Sequence, residues 1–305
     1  MTFAVGFTWI SATLLAFVHM AKNAIFLYEF FGEEEPCRIK FIKALELPPL
    51  CDGGRLNFAH CLSEENPIFH RTSHPAPTGR LPPRFPFRHD AADGIACFIL
   101  GVSLEEIPGA SVTIAIVVHR RALVALASAA TTATTAATAL SAAVAVASAD
   151  ADERQQQPVP WDSWGPSVTR CLEVPYWRRC RGPTGQRWGM LAQGALVLHD
   201  FNPHNVRRAA PRLSVPSSPM TTTTTTTTGG VLRHENGNRT RVVSSPTMLT
   251  AGLCFRDDVT SNLPYVETRA VCASRWENVL TDGERLLGLY FKVCAFPSPP
   301  TRGHK

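Results

Sequence analysis

The chain contains no CxxC pair, no Gly-x-Ser-x-Gly, no HExxH, no Walker loop and no GxGxxG. Those gaps remove the sequence signatures of zinc modules, serine hydrolases, zinc proteases and dinucleotide-binding units. Lysine is missing from the whole stretch between Lys43 and Lys292, so nothing there can hold nucleotide phosphates in the manner of a kinase lysine. Charged residues fill only 18% of 305 positions, with a net charge of +5. Nucleic-acid binding needs an extended basic face, and the one compact cluster, Trp177-Arg178-Arg179-Cys180-Arg181, reads as a solvated turn or strand edge. No nucleic-acid partner is expected.

Cysteine occurs nine times, at 37, 51, 61, 97, 171, 180, 254, 272 and 294. The count is odd and the spacing irregular, which argues against a disulfide scaffold and for reduced thiols in the cytoplasm or nucleus. His60, Cys61, His70 and His74 are metal-ligating types, but loop residues spread in this way read as free. Neither a metal nor another cofactor is expected. The sequon Asn238-Arg239-Thr240 would matter only in a secreted chain.

Part of the 45% apolar composition is filler. Residues 127–149 are almost wholly Ala, Thr, Ser and Val, and Thr221 to Thr228 is an unbroken threonine run. Such tracts cannot build a packed core, so the loops 123–157 and 213–236 read as disordered, as does the tail 293–305. At the other end, Phe3 to Met20 is apolar for about the length of a short membrane span. It lacks the basic start and the cleavage site of a signal peptide. Residues 1–31 therefore read as an apolar helix, with a membrane anchor through residues 3–20 as the alternative. GEEEP, LPPL, CDGG, SHPAPTG and LPPRFP then break every periodic stretch, and 32–85 reads as an irregular linker.

From residue 86 the character changes. Gly94–Val102 and Ser111–His119 are β-branched apolar runs; Arg187–Leu191 and Ala195–Phe201 flank a Gly-containing connection. Gly252–Phe255, Tyr265–Ala273, Asn278–Leu280 and Leu286–Phe291 continue the pattern. The expected fold class is mainly β: an antiparallel assembly of short strands over 86–292, propeller-like or a sandwich, complete or lacking an upstream half, with an N-terminal helix.

The most enzyme-like stretch is Leu198-His199-Asp200-Phe201-Asn202-Pro203-His204-Asn205. Asp200 and Asn205 have the Asp-x4-Asn spacing of a kinase catalytic loop. However, His199 abuts Asp200, and neither a phosphate loop nor a lysine precedes it. The structural reading is a strand ending at Phe201, turned by Asp200, Asn202 and Pro203, with Arg207 and Arg208 beyond it to pair with a carboxylate. Trp161, Trp164, Gly165 and Pro166 similarly suit a tight bend, with the tryptophans covering a core edge. Asp257 and Asp258 read as a solvated turn and not as carboxylates paired with Glu267.

In order, PFRHDAADGIACFIL (86–100), IVVHRRAL (116–123), VPWDSWGPSVTR (159–170), GQRW (185–188), VLHDFNPHNVRRA (197–209), FRDDVTSNLPYVE (255–267) and DGERLLGL (282–289) resemble the C-terminal region of basidiomycete F-box-like proteins. Besides the positions already named, the resemblance rests on Gly185, Gln186, Arg187, Leu263, Pro264 and Tyr265 as shape-setting residues. It implies an F-box that recruits Skp1 and the cullin ubiquitin-ligase machinery, followed by a β-rich region that recognises a partner protein. No F-box helices are found here: Leu47-Pro48-Pro49-Leu50 runs on into CDGGRLNFAH. The expectation is a non-enzymatic protein-interaction domain without a working F-box, unable to bind Skp1. A membrane-anchored protein displaying the same domain is the alternative, and a phosphotransferase using Asp200 and Asn205 a remote one.

Overall fold

The computed structural model describes residues 6–31, 38–63, 93–104, 111–129, 157–174, 182–192, 195–213, 231–233, 239–251, 254–271, 278–281 and 286–289. The fold is mainly β, built from antiparallel sheets. Sheet I is a meander of β1 (Phe7–Trp9), β2 (Leu14–His19), β3 (Ala24–Phe31) and β4 (Arg38–Glu46). Sheet II is a second meander of β5 (Gly54–Ser63), β6 (Ile95–Leu104), β7 (Ser111–His119) and β8 (Thr169–Glu173).

Sheet III draws on β9 (Arg187–Ala192), β10 (Ala195–Asp200), β11 (Val231–Arg233), β12 (Arg239–Val243) and β15 (Tyr265–Val271), in the spatial order β11-β12-β15-β10-β9. Two further hairpins pair β13 (Thr247–Leu249) with β14 (Val259–Ser261), and β16 (Asn278–Thr281) with β17 (Leu286–Leu289). Helices are short: α1 over residues 120–129, α2 (Trp161–Val168) and α3 (Pro203–Leu213).

The side-chain period of two explains the layering. On β6, Ala96, Phe98, Leu100 and Val102 enter one core, while Ile95, Cys97 and Ile99 enter another. On β7, Ile114, Ile116 and Val118 join the first core, and Ala115 and Val117 the second. A strand buried on both faces reads as an unbroken apolar run, which is what IACFILGV and TIAIVV are. Sheet II is therefore the middle layer. Sheet I closes the first core with Leu14, Ala16, Val18, Ile25, Leu27 and Leu45; sheet III closes the second with Trp188, Met190, Val197 and Tyr265. Beyond sheet III, Val206 and Ala209 of α3 pack on Val242 and Val266.

Several expectations need correction. The apolar segment 1–31, expected as a helix or membrane anchor, forms β1, β2 and β3 over its described part. The alternation of buried Leu14, Ala16 and Val18 with half-exposed Leu15, Phe17 and His19 is a strand period, not a helical one. No helix among the described residues is long and apolar enough to cross a membrane. The expected linker 32–85 contains β4 and β5. The bend expected at Trp161–Pro166 is α2, and the turn after Phe201 opens α3. The low-complexity loop starts with α1, whose Leu123 and Ala127 enter the first core. Residues 130–156, 214–230, 290–305 and the basic cluster 177–181 lie outside the described residues.

Candidate functional site

Three of the motif clusters meet at one end of sheet III. Thr184 and Arg187 exchange two backbone hydrogen bonds around Gly185, whose φ of 56° is the conformation required at the first central position of a II′ turn. The Gln186 carbonyl accepts from the Phe201 N–H at 2.9 Å, bringing the next cluster alongside. Arg187 donates from Nε to Asp200 Oδ2 at 3.0 Å; the same oxygen accepts from Asn205 Nδ2 at 2.9 Å, and Oδ1 accepts the Asn202 N–H at 2.9 Å. Asn202 Oδ1 then caps α3 by accepting the His204 N–H, with Pro203 at the first helical position where its missing N–H costs nothing.

Asp200 is thus the organiser of a strand-to-helix corner, and Asn205 is one of its ligands. Arg207 and Arg208 are exposed on α3, and neither is ion-paired among the described residues. They lie beyond the corner on the exposed side of α3, as expected, and make no ion pair with Asp200. The fourth cluster connects through the backbone: the Asn262 and Leu263 N–H groups donate to the carbonyls of Pro166 and Thr169, placing Pro264 and Tyr265 at the entry to β15. Trp161 and Trp164 pack edge to face at 5.2 Å, and the Trp164 indole donates to the Glu46 carbonyl. Asp258 accepts the Ala251 N–H in an exposed turn, as expected, away from Glu267.

Behind this corner lies a buried polar centre that sequence reasoning missed. Glu267 faces Arg241 and His199 across β12 and β10 in register. Its carboxylate accepts Arg241 Nε at 3.0 Å and Nη2 at 3.1 Å, and Arg269 Nε at 2.7 Å. His199 Nε2 approaches to 3.8 Å, an electrostatic contact longer than a hydrogen bond. Trp188, Phe201 and Tyr265 surround the imidazole, and its Nδ1 is buried without a partner. A ring so enclosed holds sheet III together; it does not present a base to solvent.

Burial pushes the His199 imidazole below its usual value, opposed by Glu267 and reinforced by Arg269 and Arg241. Burial would raise Glu267, but His199, Arg241 and Arg269 overcome it and hold the carboxyl well below the usual carboxylate range. Both groups are depressed on folding, so the stability each confers is present above its unfolded value and lost as pH falls. The histidine window opens below 6.5 and the glutamate window below 4.5. His60 and His119 are also held low and share the first window. The urea midpoint is expected to fall between pH 7 and 5, then again below 4.5, and His199→Phe should flatten the first fall relative to wild type. A wild-type midpoint constant from pH 7 to 5 would contradict this.

A pocket of about 470 Å³ opens where the β2–β3 turn meets α2, with Lys22, Glu46, Trp161, Asp162, Asp257 and Asp258 on its walls. Among the described residues no group of His, Cys, Asp or Glu is placed to hold a metal ion; His70 and His74 lie outside them. Cys51, Cys61, Cys97, Cys171 and Cys254 are free thiols, and burial pushes those of Cys61, Cys171 and Cys254 up to about 12. Those three are inert at neutral pH.

The larger surface feature is the outer face of sheet I, also missed. Register places Phe7 against Phe17 and Trp9 against Leu15, then Phe17 against Phe26, Leu15 against Tyr28, and Tyr28 against Phe41. The rings contact one another: Phe17 stacks on Tyr28 at 5.4 Å, Phe26 and Tyr28 meet Phe41 edge-on at 5.4 and 5.5 Å, and Trp9 meets Phe30 at 5.8 Å. Phe7 is 61% exposed and Ile39 59%. The signal was legible as aromatics at alternate positions, Phe26, Tyr28 and Phe30, had the segment been read with a strand period. No family model, curated protein or solved structure significantly matches this chain.

Proposed function

We propose that this chain is a non-enzymatic protein-interaction domain, similar to the substrate-side region of fungal F-box proteins and lacking a working F-box. The observation that carries this reading is the aromatic outer face of sheet I. The aromatics there are half-buried against one another, with Phe7 and Ile39 exposed beside them; clustered surface aromatics are the composition of protein–protein interface cores and mark sites of association. The corner at Asp200 supports the same reading, because its carboxylate is consumed by Arg187, Asn202 and Asn205. Among the described residues five cysteines are free, which favours a reducing compartment, the cytoplasm or nucleus.

Affinity capture with the intact chain tests the proposal when wild type is compared with the double variant Phe26→Ser, Tyr28→Ser. A set of proteins held by wild type and lost by the variant is the expected result. Identical capture by both would remove the face as an interaction site. Purified Skp1 should not be retained by either; stable retention would overturn the absence of a working F-box.

A further inference from the structure

We infer that the outer face of sheet I docks one amphipathic α-helix of a partner protein; this rests on reading the chain as an interaction domain. The first argument is size. Four strands spaced about 4.8 Å apart give a width of roughly 14 Å, and the six to nine residues of β2, β3 and β4, at about 3.3 Å each, give a length of roughly 20–30 Å, shortened at the three-residue β1. That footprint is well short of the ~800 Å² per partner typical of a stable interface, so a sheet-on-sheet dimer of this chain would be weak. A helix about 10 Å across fits lengthwise within it.

The second argument is the chemistry of the face. The positions that point outward, Phe7, Trp9, Leu15, Phe17, Phe26, Tyr28, Phe30, Ile39 and Phe41, carry no charge; His19 beside Phe26, and Glu46 opposite Ala24, stand at one end of the face. Such a face discriminates against a charged strand or nucleic-acid backbone and accepts an aliphatic stripe recurring at helical spacing. The third is the molecule's own precedent. At the opposite end of the stack, α3 covers the outer face of sheet III through Val206 and Ala209, three residues apart. Sheet I is the end layer left without such a helix among the described residues.

A fluorescein-labelled 18-residue peptide with leucines at helical spacing on a Lys/Glu background is the probe, with a scrambled peptide of the same composition as control. Anisotropy with the full chain should saturate for the helical peptide and weaken at least tenfold for the scramble. Phe7→Glu and Ile39→Glu, at exposed positions that leave the cores untouched, should each weaken binding several-fold with an unchanged circular dichroism spectrum. Equal binding of both peptides, or none, overturns the helix partner. So does sedimentation showing a wild-type dimer that Ile39→Glu dissociates, or Phe7-dependent binding to phosphatidylcholine vesicles. If peptide binding fails while differential capture succeeds, the interaction domain stands and the helical partner falls.

Discussion

Replacing Arg170 by methionine is expected to lower the unfolding free energy by about 3–5 kcal/mol. Arg170 is fully buried on β8 and has no carboxylate partner among the described residues. Its Nη1 donates to the Ser245 carbonyl at 3.0 Å, the Thr247 hydroxyl at 2.6 Å and the Ser261 carbonyl at 3.1 Å. Nη2 donates to the carbonyls of Val243 and Ser245, both at 3.2 Å, and the guanidinium lies 4.9 Å from the Tyr265 ring centre. One cation thereby fastens the end of β12 and the β13–β14 hairpin to sheet II.

Burial pulls the Arg170 pKa down from its ordinary value, yet arginine stays protonated because that value starts so high. Methionine would fill the volume of the stem and leave three carbonyls without donors, each costing about 1–3 kcal/mol, offset in part because no cation need be desolvated. Lysine should recover little. Its single ammonium cannot span the four acceptors that a planar fork reaches with five hydrogen bonds from two nitrogens. Urea unfolding followed by tryptophan fluorescence reads the effect. A loss below about 1 kcal/mol would show the hydrogen bonds to be replaceable by water and the clasp to be unimportant.

That residue shows where sequence reading stops. Arg170 closes the string VPWDSWGPSVTR as an ordinary arginine, and nothing local announces that it is buried. Its role is created by residues 73 to 91 positions away. Glu267 is the same case: its partners Arg241 and His199 become neighbours only once β12, β15 and β10 pair. By contrast, β7 was legible to the residue, and β9 and β10 nearly so, because β-branched runs between Gly-containing turns carry their own signal. The middle-layer position of sheet II was implicit in the unbroken apolar run of β6.

The segment up to Phe31 failed for a physical reason. Leu, Ala and Phe suit helix and strand alike, and the Ser11-to-Thr13 and Met20-to-Asn23 turns contain neither Gly nor Pro. Asn23 supplies the left-handed residue, at φ 47°, that reverses the chain into β3. Asn-Pro at 202–203 suits a turn and equally a helix start, with the cap and the first residue in their favoured order. Both cases concern punctuation; the core positions themselves carried the correct hydrophobic pattern.

Gly165→Ala is expected to destabilise the protein by about 2 kcal/mol, against the sign that helix propensity gives. In an exposed helix interior the change from glycine to alanine gains about 1 kcal/mol. On α2 a Cβ at Gly165 would lie 2.4 Å from two atoms of the Trp161 ring and 2.5 Å from a third. That ring cannot step aside cheaply, because it is buried and packed edge-on against Trp164, whose indole is tied to the Glu46 carbonyl. Because ring and methyl sit on the same helix, the added methyl must displace the Trp161 ring from its place on α2 and disturb the first core. Trp161→Leu would create its own loss but remove the obstruction. In that background Gly165→Ala should become neutral or stabilising, a coupling of about 2 kcal/mol in a double-mutant cycle. Additive losses, with the same penalty for alanine whether position 161 is Trp or Leu, would locate the need for glycine in the backbone and not in the tryptophan packed over it.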